Sequence, residues 1–286
     1  MTDKTSSPRR SPLVMSTPPT LQTVSLNDYT PPIKLKLLPL SSPCGNKDTT
    51  DSTNALNTGL SIWFGARNLI GIFPSILEAL KSQNIELQNI LELGAGTGLT
   101  GIWLYNNIPV KSNTNLELTD GVSEVLPLLT SNINLNPPPP SLNVTPSELL
   151  WGGKLPKTYN FIYGADLIYE RVDGAKVRLL ARTVRSGLSG VDWVSKDSSK
   201  DTKVESDEYE IPECAEIIFE VTYAPFFLLA FTRRSFPFNQ LIEIFNSEGL
   251  KCTGLVEGGC FDIFENDTDG LTDMWRDCVL GFEAIE

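Results

Sequence analysis

Ten consecutive residues, Ile90-Leu91-Glu92-Leu93-Gly94-Ala95-Gly96-Thr97-Gly98-Leu99, constrain this chain more than any other stretch. An apolar run of strand character passes without a linker into three alternating glycines and then into helix-forming sequence. Glycine lets the backbone turn sharply, approach a ligand closely and leave the first helix amides pointing at it. The spacing is GxGxG with an acid two residues upstream, not the GxGxxG of dinucleotide folds. The plainer alternative is a tight strand-to-helix turn with no ligand.

The flanking sequence alternates as a strand–helix–strand unit requires. Ile62, Trp63, Ala66, Leu69, Ile70, Phe73, Ile76, Leu77 and Leu80 recur at three- and four-residue spacing, which predicts a core-facing helix that Pro74 should kink or split. Strands are expected at 89–93, 116–119 and near 142–144, with helices starting at Leu99 and spanning 122–136, where four prolines stop the second. A fourth strand fits 159–164 and a helix fits 172 to about 186. Both 217–221 and 226–232 read as strand, so the place of the fifth strand is open; a helix near 238–248 and strands near 251–256 and 279–285 follow. Residues 1–55, rich in Ser, Thr and Pro, read as a largely disordered arm with one strand or hairpin near 33–38 and a docking or localisation role as the alternative to a solvated tail. The folded domain is then 56–286, with an exposed acidic loop inserted at 189–213.

Composition narrows the chemistry. With 286 residues the chain can bury one large α/β core, and 23 Lys and Arg against 35 Asp and Glu leave a net charge of −12. That charge argues against a general nucleic-acid or anionic-membrane binder and suits a basic partner. Histidine is absent, which excludes Ser-His-Asp and Cys-His nucleophile chemistry and any imidazole base. Five widely spaced cysteines without a CxxC pair predict neither a disulfide framework nor a metal site, and a reducing compartment. The longest apolar run, Phe226 to Phe231, is too short to cross a bilayer, and the basic N-terminus lacks the apolar stretch of a secretory signal.

The acid and glycine pattern at 92–98 resembles motif I of class I S-adenosylmethionine methyltransferases. Thr58-Gly59 with Trp63 and Ala66, the 126–136 stretch with Asn132 and Asn136, the Leu150-Trp151-Gly152 step and Asp166-Leu167-Ile168-Tyr169 narrow it to the methyltransferase-like protein-lysine methyltransferases. The resemblance implies a Rossmann-like α/β fold: seven strands, mostly parallel, helices on both faces, the last strand antiparallel. It covers residues 58–170 well and the C-terminal third by topology alone.

It also implies a cofactor, S-adenosylmethionine, with Glu92, Gly94, Gly96 and Gly98 at its methionine end, Trp63 packing nearby, Trp151 by the adenine or the rim, and Ala165 presenting backbone. Asp120, ending the second predicted strand, stands where nucleotide-binding folds put a carboxylate for the ribose hydroxyls; a loop extension at 111–115 would explain its extra distance from the glycines. The ribose role is favoured over a turn cap for Asp120, and site packing over plain core for Trp63 and Trp151. Asp166 and Tyr169 match the family's DxxY motif beside the target amine. Methyl transfer to an amine needs desolvation, deprotonation and aim; the carboxylate can hold the ammonium and the hydroxyl can orient a hydrogen. The alternative makes Asp166 a helix cap and Tyr169 an interfacial aromatic.

The expected function is protein-lysine N-methylation of an intracellular target such as a translation factor or chaperone, cytoplasmic and also nuclear, by a monomer whose protein substrate is basic around the site, with no nucleic-acid or membrane partner. A methyltransferase for a small molecule or another protein side chain, and an inert cofactor-binding scaffold, are the competing readings. An acid-lined open rim would favour protein; a lidded apolar pocket would favour a small molecule.

Overall fold

A computed structural model describes residues 21–37, 59–109, 113–153, 155–168, 173–190, 225–232, 236–257 and 277–285. The acidic insertion from 191 onward, the strand expected at 217–221 and Tyr169 lie outside the described residues.

A hairpin of β1 (Gln22–Leu26) and β2 (Ile33–Leu37) comes first, then the 19-residue helix α1 (Phe64–Ser82). The alternating units follow: β3 (Asn89–Leu93), α2 (Leu99–Asn107), β4 (Thr114–Asp120), α3 (Leu126–Leu135), β5 (Leu142–Glu148), β6 (Phe161–Ala165), α4 (Gly174–Ser189) and β7 (Phe226–Thr232). Then come α5 (Phe238–Ser247), β8 (Leu250–Glu257) and β9 (Asp277–Ala284).

Seven strands form one sheet in the order β5-β4-β3-β6-β7-β9-β8. The strand order reverses between β3 and β6, both parallel to their neighbours, and β9 runs antiparallel to β7 and β8. Among the described residues the next strand after β6 is 226–232, which pairs with β6 in parallel.

Burial on both faces explains the continuous apolar strands. Ile90, Phe161, Tyr163, Phe226 and Leu228 point to a core shared with α1, α2, α3 and the hairpin, while Leu91, Leu93, Ile162, Phe227 and Leu229 point to a second core under α4 and α5. Phe73 of α1 meets the rings of Phe161 and Tyr163 edge-on. Pro74 does not split α1. It lies on the exposed face, so the missing amide falls where water can replace it, and one buried stripe from Leu69 to Leu80 holds both halves.

Part of the stretch read as an arm packs into the domain. Ile33, Leu35 and Leu37 are buried in the first core, beside α3. Thr114 and Asn115 belong to β4, so the loop extension before that strand is shorter than the spacing suggests.

Candidate functional site

The order reversal between β3 and β6 opens a crevice at the carboxyl ends of the parallel strands, the place where open α/β sheets bind ligands. A cavity of about 590 Å³ lies there, within the roughly 300–1,000 Å³ of small-molecule sites. Trp63, Glu92, Gly94, Gly96, Asp120, Trp151, Ala165 and Asp166 all line it. Gly98 does not line it but starts α2, and Tyr169 falls outside the described residues.

The glycine turn is shaped by backbone need and by crowding. Gly94 and Gly98 have φ of +63° and +80°, and a Cβ would come within 2.5 Å of Leu167 at the first and of Leu129 at the second. Gly98 is the N-cap of α2 and offers no side-chain cap, so the positive end of that helix faces the cavity with only its Gly101 amide seen to be taken, by Glu92. The turn is latched to β4 through Ala95 N donating to Thr119 O at 2.8 Å.

Glu92 is 2% exposed and lines the cavity. Burial pushes its carboxyl up to about 8, opposed by hydrogen bonds from the Tyr163 hydroxyl and the Gly101 amide; the hydroxyl donates to Oε2 at 3.1 Å. A cation entering the cavity would restore the charged form. Gly101 is a residue the sequence reading missed. A Cβ there would sit 2.5 Å from Glu92 Oε2, and a glycine inside a helix, which costs about 1 kcal/mol relative to alanine, was the available signal.

Asp120 caps its own turn and holds the glycine turn as well. Its Oδ2 accepts from Gly96 N at 3.0 Å and Oδ1 from Val122 N at 2.9 Å, which fastens the glycine turn and its own turn. Burial raises its carboxyl above the usual range, and the amides of Val122, Gly96 and Gly121 oppose that. With three amides on about four acceptor positions, the carboxylate keeps one for a hydroxyl in the cavity.

Asp166 follows β6 with φ of +50°, a left-handed conformation that a non-glycine residue adopts at some cost. Its amide donates to Ala230 O at 2.8 Å. Its Oδ2 accepts from Gly65 N at 2.6 Å, in the first turn of α1, whose N-cap Trp63 makes no side-chain cap. A carboxylate from another strand thus caps α1, and a Cβ on Gly65 would lie 2.7 Å from that oxygen. The helix cap is real, but the helix is α1, not the one that follows Asp166.

Trp63 belongs to neither buried core, whereas Trp151 packs against the second core and lines the cavity as well. Gly152 N donates to Thr183 Oγ1 at 2.7 Å, pinning the Leu150-Trp151-Gly152 step to α4. Lys176 and Leu179 of α4 and Leu150 complete the rim. Leu150 is 65% exposed and Lys176 is exposed too, so the described rim is open and apolar with a cation, not acid-lined. Among the described residues no cluster of metal-binding type occurs.

Comparison with known proteins gives this geometry a family. Residues 48–189 match the family described as lysine methyltransferase. The matching segment is just under half of the chain and holds every cavity-lining residue named above. It is 40% identical over 95 residues to the protein N-lysine methyltransferase METTL21A of Xenopus tropicalis, covering 32% of this chain and 41% of that protein. It is 28% identical over 131 residues to EEF1A lysine methyltransferase 3 of Xenopus tropicalis, covering 44% and 53%. The chain therefore spans about half the length, or less, of the curated relatives it matches. A solved S-adenosylmethionine-dependent methyltransferase from Clostridium acetobutylicum aligns over 74% of this chain and 90% of its own at 9% identity, with a TM-score of 0.47.

Proposed function

We propose that this protein is an S-adenosylmethionine-dependent protein N-methyltransferase that modifies a lysine side chain of an intracellular protein. One observation carries the reading: a single cavity gathers a glycine turn at a helix N-terminus, a buried acid on each of β3 and β4, and the carboxylate of Asp166 beyond β6. The family match and both curated relatives support it.

The residues fit the cofactor in kind. Glu92 is a buried carboxyl with no basic partner among the described residues, suited to an ammonium, and Asp120 has acceptor capacity for ribose hydroxyls. Trp63, Trp151, Leu150 and Leu179 offer apolar surface for a flat ring. When bound, the cofactor supplies a sulfonium-activated methyl group. The chain's own part is to hold and aim the acceptor. Asp166, fixed by Gly65 and by Ala230, is placed to accept hydrogen bonds from an incoming ammonium, and a proton must pass to water before the nitrogen lone pair can attack. Tyr169 is assigned the orienting hydroxyl on the DxxY resemblance.

The net charge of −12 supports a target that is basic around its lysine, and Leu150 and Leu179 support apolar residues beside it. We read the protein as a cytoplasmic and nuclear monomer acting away from membranes. The apolar rim also favours a second reading, a small-molecule acceptor. Calorimetry with S-adenosylhomocysteine, followed by labelled methyl transfer in cell lysate with Asp166→Ala as control, separates these. Binding with a discrete labelled protein whose label is lysine-borne is the expected result. Binding with label only in small molecules overturns the protein substrate, and absence of binding overturns the cofactor site.

A further inference from the structure

Asn132 of α3 is fully buried, and its amide faces two parts of the molecule at once. Its Oδ1 accepts from Lys36 N at 2.7 Å, and its Nδ2 donates to Lys36 O at 3.0 Å and to Thr97 O at 2.8 Å. Both amide hydrogens are thereby used. Lys36 belongs to the N-terminal hairpin, and Thr97 lies between the second and third glycines of the turn.

One helical turn later, Asn136 makes the same pair of bonds to Lys34, accepting from N at 2.9 Å and donating to O at 2.6 Å. Its other contact returns to its own helix, at Asn132 O. The two asparagines thus clasp the backbone of β2 in the same way, but only Asn132 reaches the glycine turn. The Thr97 side of that contact is buried, and Leu129, also on α3, packs against Gly98 closely enough to exclude a Cβ. A buried carbonyl left without a donor is costly, so the turn's conformation depends on this amide.

We propose that Asn132 is a positioning residue for the cofactor loop, and that the hairpin at 22–37 is the part of the fold that orients it. The backbone of Lys36 fixes the plane of the amide, the amide fixes the Thr97 carbonyl, and the turn is held in its binding shape before any ligand arrives. The inference rests on reading the cavity as the S-adenosylmethionine site. It makes the hairpin a component of that site at second hand.

Asn132→Asp and Asn136→Asp are the paired test. Each keeps shape and acceptor but replaces donors by oxygen. Both variants should lose thermal stability to a similar degree. Only Asn132→Asp should weaken S-adenosylhomocysteine binding, about tenfold for one lost hydrogen bond, and speed amide exchange at residues 96–99 in the unliganded protein. Asn136→Asp should leave affinity within about twofold. Equal loss of affinity in both, or unchanged affinity and exchange in Asn132→Asp, overturns the proposal. If Asn132→Asp does not fold, Asn132→Ala is read by the same criteria. Failure of the unmutated protein to bind would sink the cofactor reading instead, while exchange at 96–99 would still decide whether Asn132 holds the turn.

Discussion

Two glutamates sit deep in this molecule and are treated in opposite ways. Glu248, at the junction of α4 and α5, has a side chain only 7% exposed, and Arg178 and Arg182 reach its two oxygens at 2.8 and 3.1 Å. Glu92, at the end of β3, is at least as buried but meets a tyrosine hydroxyl and a backbone amide, with another acid, Asp120, close enough to oppose its charge. The first is a finished ion cluster that joins two helices. The second is a carboxyl that no basic side chain among the described residues neutralises, and it lines a cavity. Buried charge with partners supplied by the fold speaks of architecture; buried charge left short of partners speaks of a ligand.

The contrast can be broken in several ways. Asp166→Asn should lower methyl transfer roughly a hundredfold or more in single-turnover assays, with cofactor affinity within about twofold; a comparable loss of affinity would move Asp166 from the acceptor to the cofactor. Glu92 makes a signed pH prediction. Its folded value of about 8 lies above the usual 4.5, so the fold favours the protonated form, and stability is full below about 4.5 and falls as pH rises towards 8. Asp120 shifts in the same direction. Glu92→Gln should flatten much of that decline, gaining a few kcal/mol at alkaline pH in denaturant titrations, while weakening S-adenosylhomocysteine binding. An unchanged pH profile would show that Glu92 is already compensated. Asp120→Ala should weaken binding about tenfold by calorimetry, through the hydroxyl contact and the slackened turn; unchanged affinity would remove its ribose role. Glu248→Gln should have the smallest effect, about 1 kcal/mol of stability with affinity untouched, because both arginines can still reach water.

Much of this was readable from the sequence because the strands are buried on both faces and announce themselves as apolar runs. The glycine turn and the carboxylates at strand ends were readable because their chemistry and their position along the chain coincide. Other features depend on partners far away in sequence. Nothing local says that Asn132 and Asn136 clasp β2 across about a hundred residues, or that Gly65 is small to admit Asp166. Lys176 and Leu179 reach the rim because the apolar face of α4 packs on the sheet and Thr183 ties the 150–152 step to that helix. Pro74 does not split α1, because on the exposed side of that helix water can replace the lost bond.

The antiparallel strand β9 lies between β7 and β8, and this has a consequence during synthesis. β7 pairs with β6 as soon as both exist, but its other edge, along Phe226-Phe227-Leu228-Leu229-Ala230, stays open until residues 277–284 have left the ribosome. For that interval an apolar edge is offered to any other strand nearby. Holding such a nascent chain would fall to whatever binds exposed β edges, and the strand of this sheet made last fills an inner place, between β7 and the edge strand β8.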